Sequence, residues 1–258
     1  MTDLPTVNYD TVAPTYDQRL QGGTYLAEVA TALQALAGQV QAQRVLDLGC
    51  GTGRSLQSVW AELARFGLDL SSGMLAQAQR LEPDYRLVQA SAPRPPFAPH
   101  SFDLIFCAHA FHHFPHKPQV VEMAYRLLRP GGALAIVNID PREAGQSWPV
   151  YDYFEGTYET DLARFPAVAE QEAWLGQAGF QQISSPVVQR IESELHGAAI
   201  FEDYYLRKES NSQLILLSDE AYQAGLKRMR DHLKRAEAAR ETVIFRTVLI
   251  NRMCHGFK

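Results

Sequence analysis

A glycine-rich turn between a short apolar run and a helical stretch constrains the fold of this chain more than any other feature. The turn lies in VLDLGCGTG, residues 45–53, and has glycines at positions 49, 51 and 53. The run RVLDL, 44–48, is apolar and stops at the glycines, which is typical of a buried strand. A helix is predicted over 54–64. The glycines of the turn permit a tight change of direction and a close approach of the backbone to a ligand, and the start of the following helix offers free N–H groups.

Strands and helices alternate through the first 140 residues. A helix is predicted over 26–40, where apolar residues recur at spacings of three and four. Another is predicted to begin after Ser71 or Ser72 and to end near Leu81, and a third to span about 118–128. Further strands are predicted at RFGLDL (65–70), YRLVQA (85–90), FDLIFCA (102–108) and ALAIVNI (133–139). This alternation predicts an α/β fold with a doubly wound, mostly parallel sheet.

The pattern changes after Pro141. Residues 142–170 are rich in aromatic side chains. We predict a strand over 180–191, a long helix over 219–239 and a last strand over 242–253, which brings the number of predicted strands to seven.

Composition narrows the classes of partner. The formal net charge of -5 argues against a nucleic-acid partner, because nucleic-acid binders usually present a basic patch. The three cysteines are widely spaced and form no CxxC pair, which fits a reducing compartment. The N-terminus lacks the basic start and apolar run of a signal peptide, and no apolar stretch approaches 18 residues. We therefore expect a cytoplasmic protein, monomeric or homodimeric, without a nucleic-acid or membrane partner.

Two aspartates stand at strand ends beside the glycine turn. Asp69 ends the second predicted strand, where a carboxylate can accept hydrogen bonds from both hydroxyls of a ribose. Asp47 lies at the end of the first strand, where a buried carboxylate is costly without a partner. Either a ligand ammonium supplies that partner, or the carboxylate caps N–H groups of its own loop. A dinucleotide fingerprint would need a third glycine at position 54, where this chain has Arg54.

Four motifs follow one another in a specific order: VLDLGCGTG, DLSSGML, FDLIFCAHAFHHF and RLLRPGGALAIVN. Together they closely resemble the class I S-adenosylmethionine-dependent methyltransferases, most of all the small-molecule group that includes quinone-biosynthesis and trans-aconitate-type enzymes. The resemblance is strong over about residues 8–140 and thinner beyond. It implies a seven-stranded, mostly parallel Rossmann-like sheet whose last strand is antiparallel, S-adenosylmethionine as cofactor, and methyl transfer to a small-molecule acceptor.

The resemblance also implies a domain organisation. We expect a single methyltransferase domain over 1–258 with an N-terminal lid at about 1–24. Helical cap insertions are expected at about 141–172 and 192–241.

Residues for the methionine end of the cofactor follow from the same resemblance. The loop of Gly49, Cys50 and Gly51 is expected to face the methionine moiety. Asp47 is expected to reach its amino group through water, and Ala108, at the end of the fourth strand, completes the set.

The adenosine end is assigned in the same way. Asp69 is expected to hold the ribose hydroxyls, with Leu70 and Met74 against the adenine. The family often has an aspartate and a small residue after the third strand, whereas this chain has Ser91 and Ala92. A serine hydroxyl can still accept the bond from the adenine amino group, but more weakly than a carboxylate.

The N-terminal stretch YDTVAPTYDQRL resembles the lid segment of the family. Tyr9, Tyr16 and Arg19 match positions that close over the cofactor. The alternative is that these side chains simply pack a leading helix.

Four histidines are concentrated in CAHAFHHFPH, 107–116. The segment follows the fourth strand, at the edge of a parallel sheet where ligands bind. Pro115 interrupts any helix there, so we expect no metal site. His113 is expected to pack or to bond to the backbone, whereas His109 or His112 can contact the substrate. His112 is the candidate general base if the acceptor is a hydroxyl or an activated carbon; other catalytic residues are unknown.

The aromatic insertion suggests an enclosed acceptor. We expect Tyr151, Tyr153 or Phe154 to contact a small, partly apolar molecule, although an ordinary apolar core would explain the same residues. Two other functions stay open: a non-catalytic S-adenosylmethionine-binding regulator, and a nicotinamide-dependent dehydrogenase, which Arg54 disfavours.

Overall fold

A computed structural model describes residues 6–20, 27–57 and 62–258, and gives the backbone alone at residues 19 and 20. Parts of the predicted lid over 1–24 therefore lie outside the described residues. The same holds for positions 58–61 of the helix predicted over 54–64.

The helices and strands of the described ranges begin and end as follows. The strands are β1 Arg44–Leu48, β2 Ala64–Asp69, β3 Arg86–Gln89, β4 Phe102–Ala108, β5 Leu128–Ile139, β6 Gln181–Ser184, β7 Val187–His196 and β8 Ile244–Phe257. The α-helices are α1 Tyr9–Val12, α2 Ala27–Gln39, α3 Arg54–Gln57, α4 Ser72–Leu81, α5 Lys117–Leu127, α6 Pro149–Tyr153, α7 Thr157–Arg164, α8 Val168–Ala178, α9 Ser212–Ile215 and α10 Asp219–Ala239. Short 3₁₀ helices cover Tyr16–Leu20, Phe111–His113, Gly197–Glu202 and Tyr204–Leu206.

The sheet has the topology that the alternation predicts. Its strand order is β3-β2-β1-β4-β5-β8-β6, and β7 also pairs with β8. The first five of these strands are parallel to one another, whereas β8 runs antiparallel to both β5 and β6. The predicted doubly wound, mostly parallel sheet with an antiparallel last strand is therefore confirmed, and β7 adds an eighth strand to the predicted seven.

Apolar side chains on both faces of the parallel strands explain why helices cover the two sides. Leu46 and Leu48 of β1 join a core with α5 and α8, whereas Val45 joins a second core with α2. Successive residues of a strand point to opposite faces, so a continuous apolar run must be covered twice. Because these strands are parallel, their carboxyl ends share one edge of the sheet. The glycine turn and both aspartates lie at that edge.

Strand ends differ from the prediction where distant partners extend them. β5 begins at Leu128 instead of 133, because the Gly131 N–H donates to the Lys258 carbonyl at 2.8 Å and a register shift accommodates the extra residues. β8 runs to Phe257, beyond the predicted end at 253. These backbone hydrogen bonds join residues more than a hundred positions apart, which no local pattern can indicate.

Two further boundaries were predicted wrongly. The strand predicted over 180–191 is divided into β6 and β7 on either side of Ser185 and Pro186. Proline has no N–H to donate to a ladder, which favours a break there. The helix predicted over 54–64 cannot reach its predicted end, because Ala64 already belongs to β2. The long helix predicted over 219–239 is confirmed as α10.

The chain divides into two compact units. The sheet unit comprises Asn8–Asp140, Pro166–Gln189 and Asn251–Lys258. The insertion unit is formed mainly by Pro141–Phe165 and Arg190–Ile250. The single domain, the lid and the cap boundaries expected from the sequence stay predictions.

Aromatic residues of the insertion unit pack mainly against one another. Phe154 exposes no surface and stacks on Tyr222, and Gly225 makes room for its ring. Because it is fully covered, the prediction that Phe154 contacts an acceptor is corrected to a core role. The Tyr151 hydroxyl donates to Asp161 at 2.8 Å, and the Tyr153 hydroxyl bonds to a ring nitrogen of His232. An acceptor contact by either tyrosine stays a prediction.

All three cysteines are buried and free. In the described ranges, no helix combines the length and the apolar character that crossing a membrane requires.

Candidate functional site

The three glycines of the turn serve different purposes, although all have positive φ. A Cβ atom on Gly49 would lie 2.6 Å from the Cβ of Ala110, and one on Gly53 would lie 2.7 Å from the Tyr85 ring. Both positions therefore need glycine because protein packs closely against them. A Cβ atom on Gly51 would meet nothing within 4 Å. With φ at +54°, Gly51 is the glycine of this turn whose surface is open to a ligand.

Cys50 belongs to the protein core rather than to the ligand-facing surface. Its side chain is buried with α2 and β1, and its sulfur lies 2.7 Å from the place that a Cβ atom on Gly67 would take. Burial raises the pKa of the thiol well above its ordinary value. The predicted contact at this position is therefore limited to the backbone, and the Cys50 side chain is corrected to a packing role.

Asp69 links β2 to the glycine turn. Its carboxylate accepts hydrogen bonds from the Gly51 N–H at 2.8 Å and from the Ser71 N–H at 2.9 Å. Burial raises the pKa of this carboxyl, and the bonds from Ser71 and Gly51 oppose the rise. Each oxygen of a carboxylate has a second lone pair, so Asp69 can still accept two bonds from a ligand.

Asp47 is the least satisfied charged group near the turn. It is 1% exposed, and its Oδ1 has no hydrogen-bond partner among the described residues. Burial raises the pKa of its carboxyl well above the usual range, and the charge of Asp69 adds to the rise. The proposed capping of its own loop would have occupied this oxygen, so a cationic ligand group is the better explanation of the two.

The residues predicted to contact the adenine differ in how accessible their side chains are. Leu70 is 71% exposed at the carboxyl end of β2, which suits an apolar contact with a ligand. Met74 is 1% exposed, and its N–H donates to the Ser71 hydroxyl that caps α4. Because neither its side chain nor its N–H is available, the prediction for Met74 is corrected to packing and capping.

Ser91 and Ala92, the second and third residues after β3, lie at the same edge of the sheet as Ala108, the last residue of β4. The Ser91 carbonyl accepts from the Arg94 N–H in a turn, and the Ser91 side chain is half-buried. Ala92 is 5% exposed in the core on the α5 and α8 face, so only its backbone can reach a ligand. Ala108 packs against the opposite core and is partly exposed.

The N-terminal segment, residues 8–18, is attached to two loops of this edge by acidic side chains. Asp10 accepts from the Ser71 hydroxyl at 2.7 Å and from the Gly73 N–H at 2.8 Å, and these bonds lower the pKa of Asp10. Asp17 accepts from the Thr52 hydroxyl at 2.6 Å and forms an ion pair with Arg54 at 2.8 Å. Arg54, which replaces the third glycine of a dinucleotide fingerprint, thus holds the segment beside the glycine turn.

Aromatic residues of the same segment contact the histidine cluster. The Tyr9 hydroxyl lies 2.7 Å from Nε2 of His113, and its ring makes an edge contact with Tyr16. The Arg19 side chain is outside the described part of the chain. The sequence did not single out Asp10, Asp17 or Thr52, since they are found only through partners 35 to 63 positions away.

The histidines do not share one helical face. His109 and His116 both have positive φ, and a 3₁₀ turn at Phe111–His113 separates them. His112 is buried, and its ring centroid lies 3.9 Å from that of the His113 ring. Among the described residues, no group of three or more histidines, cysteines or carboxylates could hold a metal ion. That the purified protein contains no stoichiometric zinc or iron stays a prediction, as does the role of His112 as a base.

The sequence of this chain is similar to those of known methyltransferases. A family model described as a methyltransferase domain matches residues 46–136. A trans-aconitate 2-methyltransferase from Methylobacterium nodulans is 35% identical over 153 residues, which are 53% of this chain and 57% of that protein. A demethylmenaquinone methyltransferase from Renibacterium salmoninarum is 31% identical over 170 residues, 64% of this chain and 68% of that protein.

A solved structure shows the same fold. Phosphoethanolamine N-methyltransferase 2 from Haemonchus contortus, in complex with S-adenosyl-L-methionine, has a TM-score of 0.60 at 19% identity, covering 96% of this chain and 57% of that one. This chain spans little more than half the length of the first curated relative that it matches. Its identity to the demethylmenaquinone enzyme over two-thirds of that protein, together with the shared sheet and glycine turn, places the chain in the class I S-adenosylmethionine-dependent methyltransferase family.

Proposed function

We propose that this chain transfers a methyl group from S-adenosylmethionine to a small-molecule acceptor. The observation that supports the cofactor best is Asp47, a buried carboxylate whose Oδ1 lacks a partner among the described residues. Beside it are the open surface of Gly51 and the remaining lone pairs of Asp69. A ligand with an ammonium group at one end and a ribose toward the other would satisfy all three.

Each residue of the sheet edge has a binding task in this proposal. Asp47 pairs with the amino group of the methionine moiety, directly or through water, and Gly51 leaves room for the backbone to approach it. Asp69 accepts from the ribose hydroxyls, and Leu70 covers the adenine. S-adenosylmethionine supplies, when bound, an electrophilic methyl group on a sulfonium. The protein orients the acceptor and excludes water, and needs no covalent intermediate of its own.

The N-terminal segment is proposed to close over the bound cofactor. Arg54→Ala removes the ion pair that joins this segment, through Asp17, to the start of α3. The side chains of both partners are about one-third exposed. Because solvent screens such a pair, we expect the affinity for S-adenosylmethionine to fall by only about 0.5–1 kcal/mol, roughly two- to fivefold. The difference should shrink at high ionic strength.

Calorimetric titration at low and high salt measures this effect. The exposed Arg80 of α4 offers a matched control, because Arg80→Ala removes the same charge near the end of α4 opposite to Gly73, which bonds to the segment. Equal losses in the two variants, or a loss that salt does not change, would contradict the closing role.

The acceptor is proposed to be small, by analogy with the trans-aconitate and demethylmenaquinone enzymes. If its reacting atom is a hydroxyl oxygen or an activated carbon, a base must remove a proton, and His112 is the nearest candidate by position. An amine or a carboxylate acceptor would need no dedicated base.

Two measurements test the proposal. Titration should show micromolar binding of S-adenosylmethionine and S-adenosylhomocysteine and none of NADH. A homocysteine-release assay with trans-aconitate, a demethylated naphthoquinol and phosphoethanolamine should then show turnover with at least one acceptor. Preference for NADH would indicate a dehydrogenase. Tight binding without turnover on any small acceptor would favour the non-catalytic regulator.

A further inference from the structure

A buried amide lies near the carboxyl end of β5, directly after the apolar run ALAIV of that strand. Asn138 is 4% exposed, and its Nδ2 has no hydrogen-bond partner among the described residues. Leaving a buried donor without an acceptor costs free energy of folding, and native proteins rarely retain one without a reason. Five of the six preceding residues of β5 are alanine, leucine, isoleucine or valine, so an apolar side chain would fit the pattern of the strand.

The position of Asn138 relates it to the proposed cofactor site. Ala108 of β4 is in register with Val137, so Asn138 is level with His109, the first residue beyond β4. β4 lies between β5 and β1, which ends at the glycine turn. With neighbouring strands about 4.8 Å apart, β5 lies roughly 10 Å across the sheet from β1. An acceptor placed at this edge beside a cofactor held over β1 and β2 would therefore lie near the end of β5.

We propose that Asn138 donates a hydrogen bond from Nδ2 to an oxygen atom of the methyl acceptor. This inference rests on the proposed function and adds the chemical class of the acceptor. An amide N–H can bond to a carbonyl, carboxylate or phenolate oxygen. It cannot bond to an ammonium group, because both groups are donors. The acceptor therefore presents such an oxygen next to the atom that is methylated.

A structural explanation competes with this role. Gln171, in α8, is 3% exposed, and its Oε1 also lacks a partner among the described residues. Gln171 and Asn138 both belong to the sheet unit, and the α8 N-terminus is linked to the end of β5, since the Val168 N–H donates to Asp140. A buried water that bridges the two amides would satisfy both of them. In that case Asn138 would stabilise the fold and have no part in acceptor binding.

Two substitutions in the full-length chain separate the explanations. Asn138→Leu keeps the approximate size and removes the polar group, and Asn138→Asp keeps the shape and replaces the donor by a carboxylate. If Nδ2 serves the acceptor, Asn138→Leu should raise the unfolding midpoint by about 2 °C or more, since an unsatisfied donor is lost. The KM for the acceptor should rise at least tenfold, and the Kd for S-adenosylhomocysteine should stay within twofold. Asn138→Asp should raise the KM of a carboxylate acceptor further, because like charges repel.

Asn251 provides the matched control. It is 1% exposed on β8, and its Nδ2 donates to Gln189 at 3.0 Å, while its Oδ1 has no partner among the described residues. Asn251→Leu should lower the unfolding midpoint and leave the acceptor KM unchanged. The acceptor used is whichever of trans-aconitate, the demethylated naphthoquinol and phosphoethanolamine gives turnover. If the wild-type protein turns over none of the three compounds, that result counts against the proposed function itself. It is distinct from a failure of the Asn138 role, because the assay uses no Asn138 variant.

Three results would overturn the role of Asn138. The first is an unfolding midpoint that falls in Asn138→Leu as it does in the control. The second is an acceptor KM that neither Asn138 variant changes. The third is turnover with phosphoethanolamine alone that both variants leave intact, since its reacting amine offers no oxygen to Nδ2.

Discussion

Replacing Asp69 by alanine is expected to weaken the binding of S-adenosylmethionine by about 2–4 kcal/mol, roughly 30- to 1000-fold. The substitution removes the proposed acceptor for the ribose hydroxyls. It also removes the acceptor for the Gly51 and Ser71 N–H groups, which connect the glycine turn with β2. Because burial raises the pKa of this carboxyl, the wild-type affinity should increase with pH until Asp69 is ionised, and the variant should lose the part of that dependence that comes from Asp69.

The two tasks of Asp69 can be measured separately. S-adenosylhomocysteine and its derivative without the ribose 2′-hydroxyl should differ clearly in affinity for the wild type. In Asp69→Ala the same two ligands should differ little, since the partner of the hydroxyl is gone. The exposed Asp84 offers a charge-matched control, and Asp84→Ala should bind both ligands as the wild type does. S-adenosylmethionine affinity within threefold of the wild type in Asp69→Ala would contradict the site.

Asp47→Asn should weaken the binding of S-adenosylmethionine by about 2–3 kcal/mol, roughly 30- to 150-fold. The same substitution should nevertheless make the unliganded protein more stable. A buried carboxylate opposite an ammonium is a charge-assisted pair, and asparagine keeps the shape while removing the charge. A cationic ligand favours the ionised carboxyl, whose pKa is raised in the free protein. Binding should therefore release a proton, and the wild-type affinity should rise with pH, whereas the variant should lose the part of that rise that comes from Asp47.

The stability effect has a definite sign. The folded protein keeps a proton on Asp47 to a higher pH than the unfolded chain, because burial raises the folded-state pKa above the ordinary value. Between these two pKa values the folded state binds more protons, so its stability falls as the pH rises through that window. Asparagine does not titrate, and thermal unfolding of Asp47→Asn should lack this loss.

A second ligand isolates the pairing that Asp47 provides. 5′-Methylthioadenosine has the adenosine and the sulfur of the cofactor but no amino acid part. It should bind the wild type and Asp47→Asn with equal affinity. An equal loss of affinity for both ligands would mean that Asp47 supports the loop and does not bind the amino group.

The local sequence pattern alone determined those helices and strands whose stabilising contacts lie within a short stretch of the chain. β1 is predicted at its observed ends because three of its five residues are apolar and a glycine follows them. α10 is predicted because apolar residues recur along one face of the segment. The roles proposed for Asp47 and Asp69 as carboxylates that face a ligand rest on their places near strand ends, since parallel strands present their carboxyl ends at one edge.

Only the tertiary structure decided which groups near that edge are already satisfied and which are not. Gly49 and Gly51 look alike in the sequence, but Ala110 fills the space beside the first and leaves the second open. Asp17 pairs with Arg54, 37 positions away in the sequence. The Nδ2 of Asn138 has no partner among the described residues, whereas the Nδ2 of Asn251 donates to Gln189. Hydrogen bonding and close packing depend on atoms that folding brings together from distant parts of the chain. A periodic pattern reports which face of an element is buried, whereas the partner of each buried polar group exists only once the chain has folded.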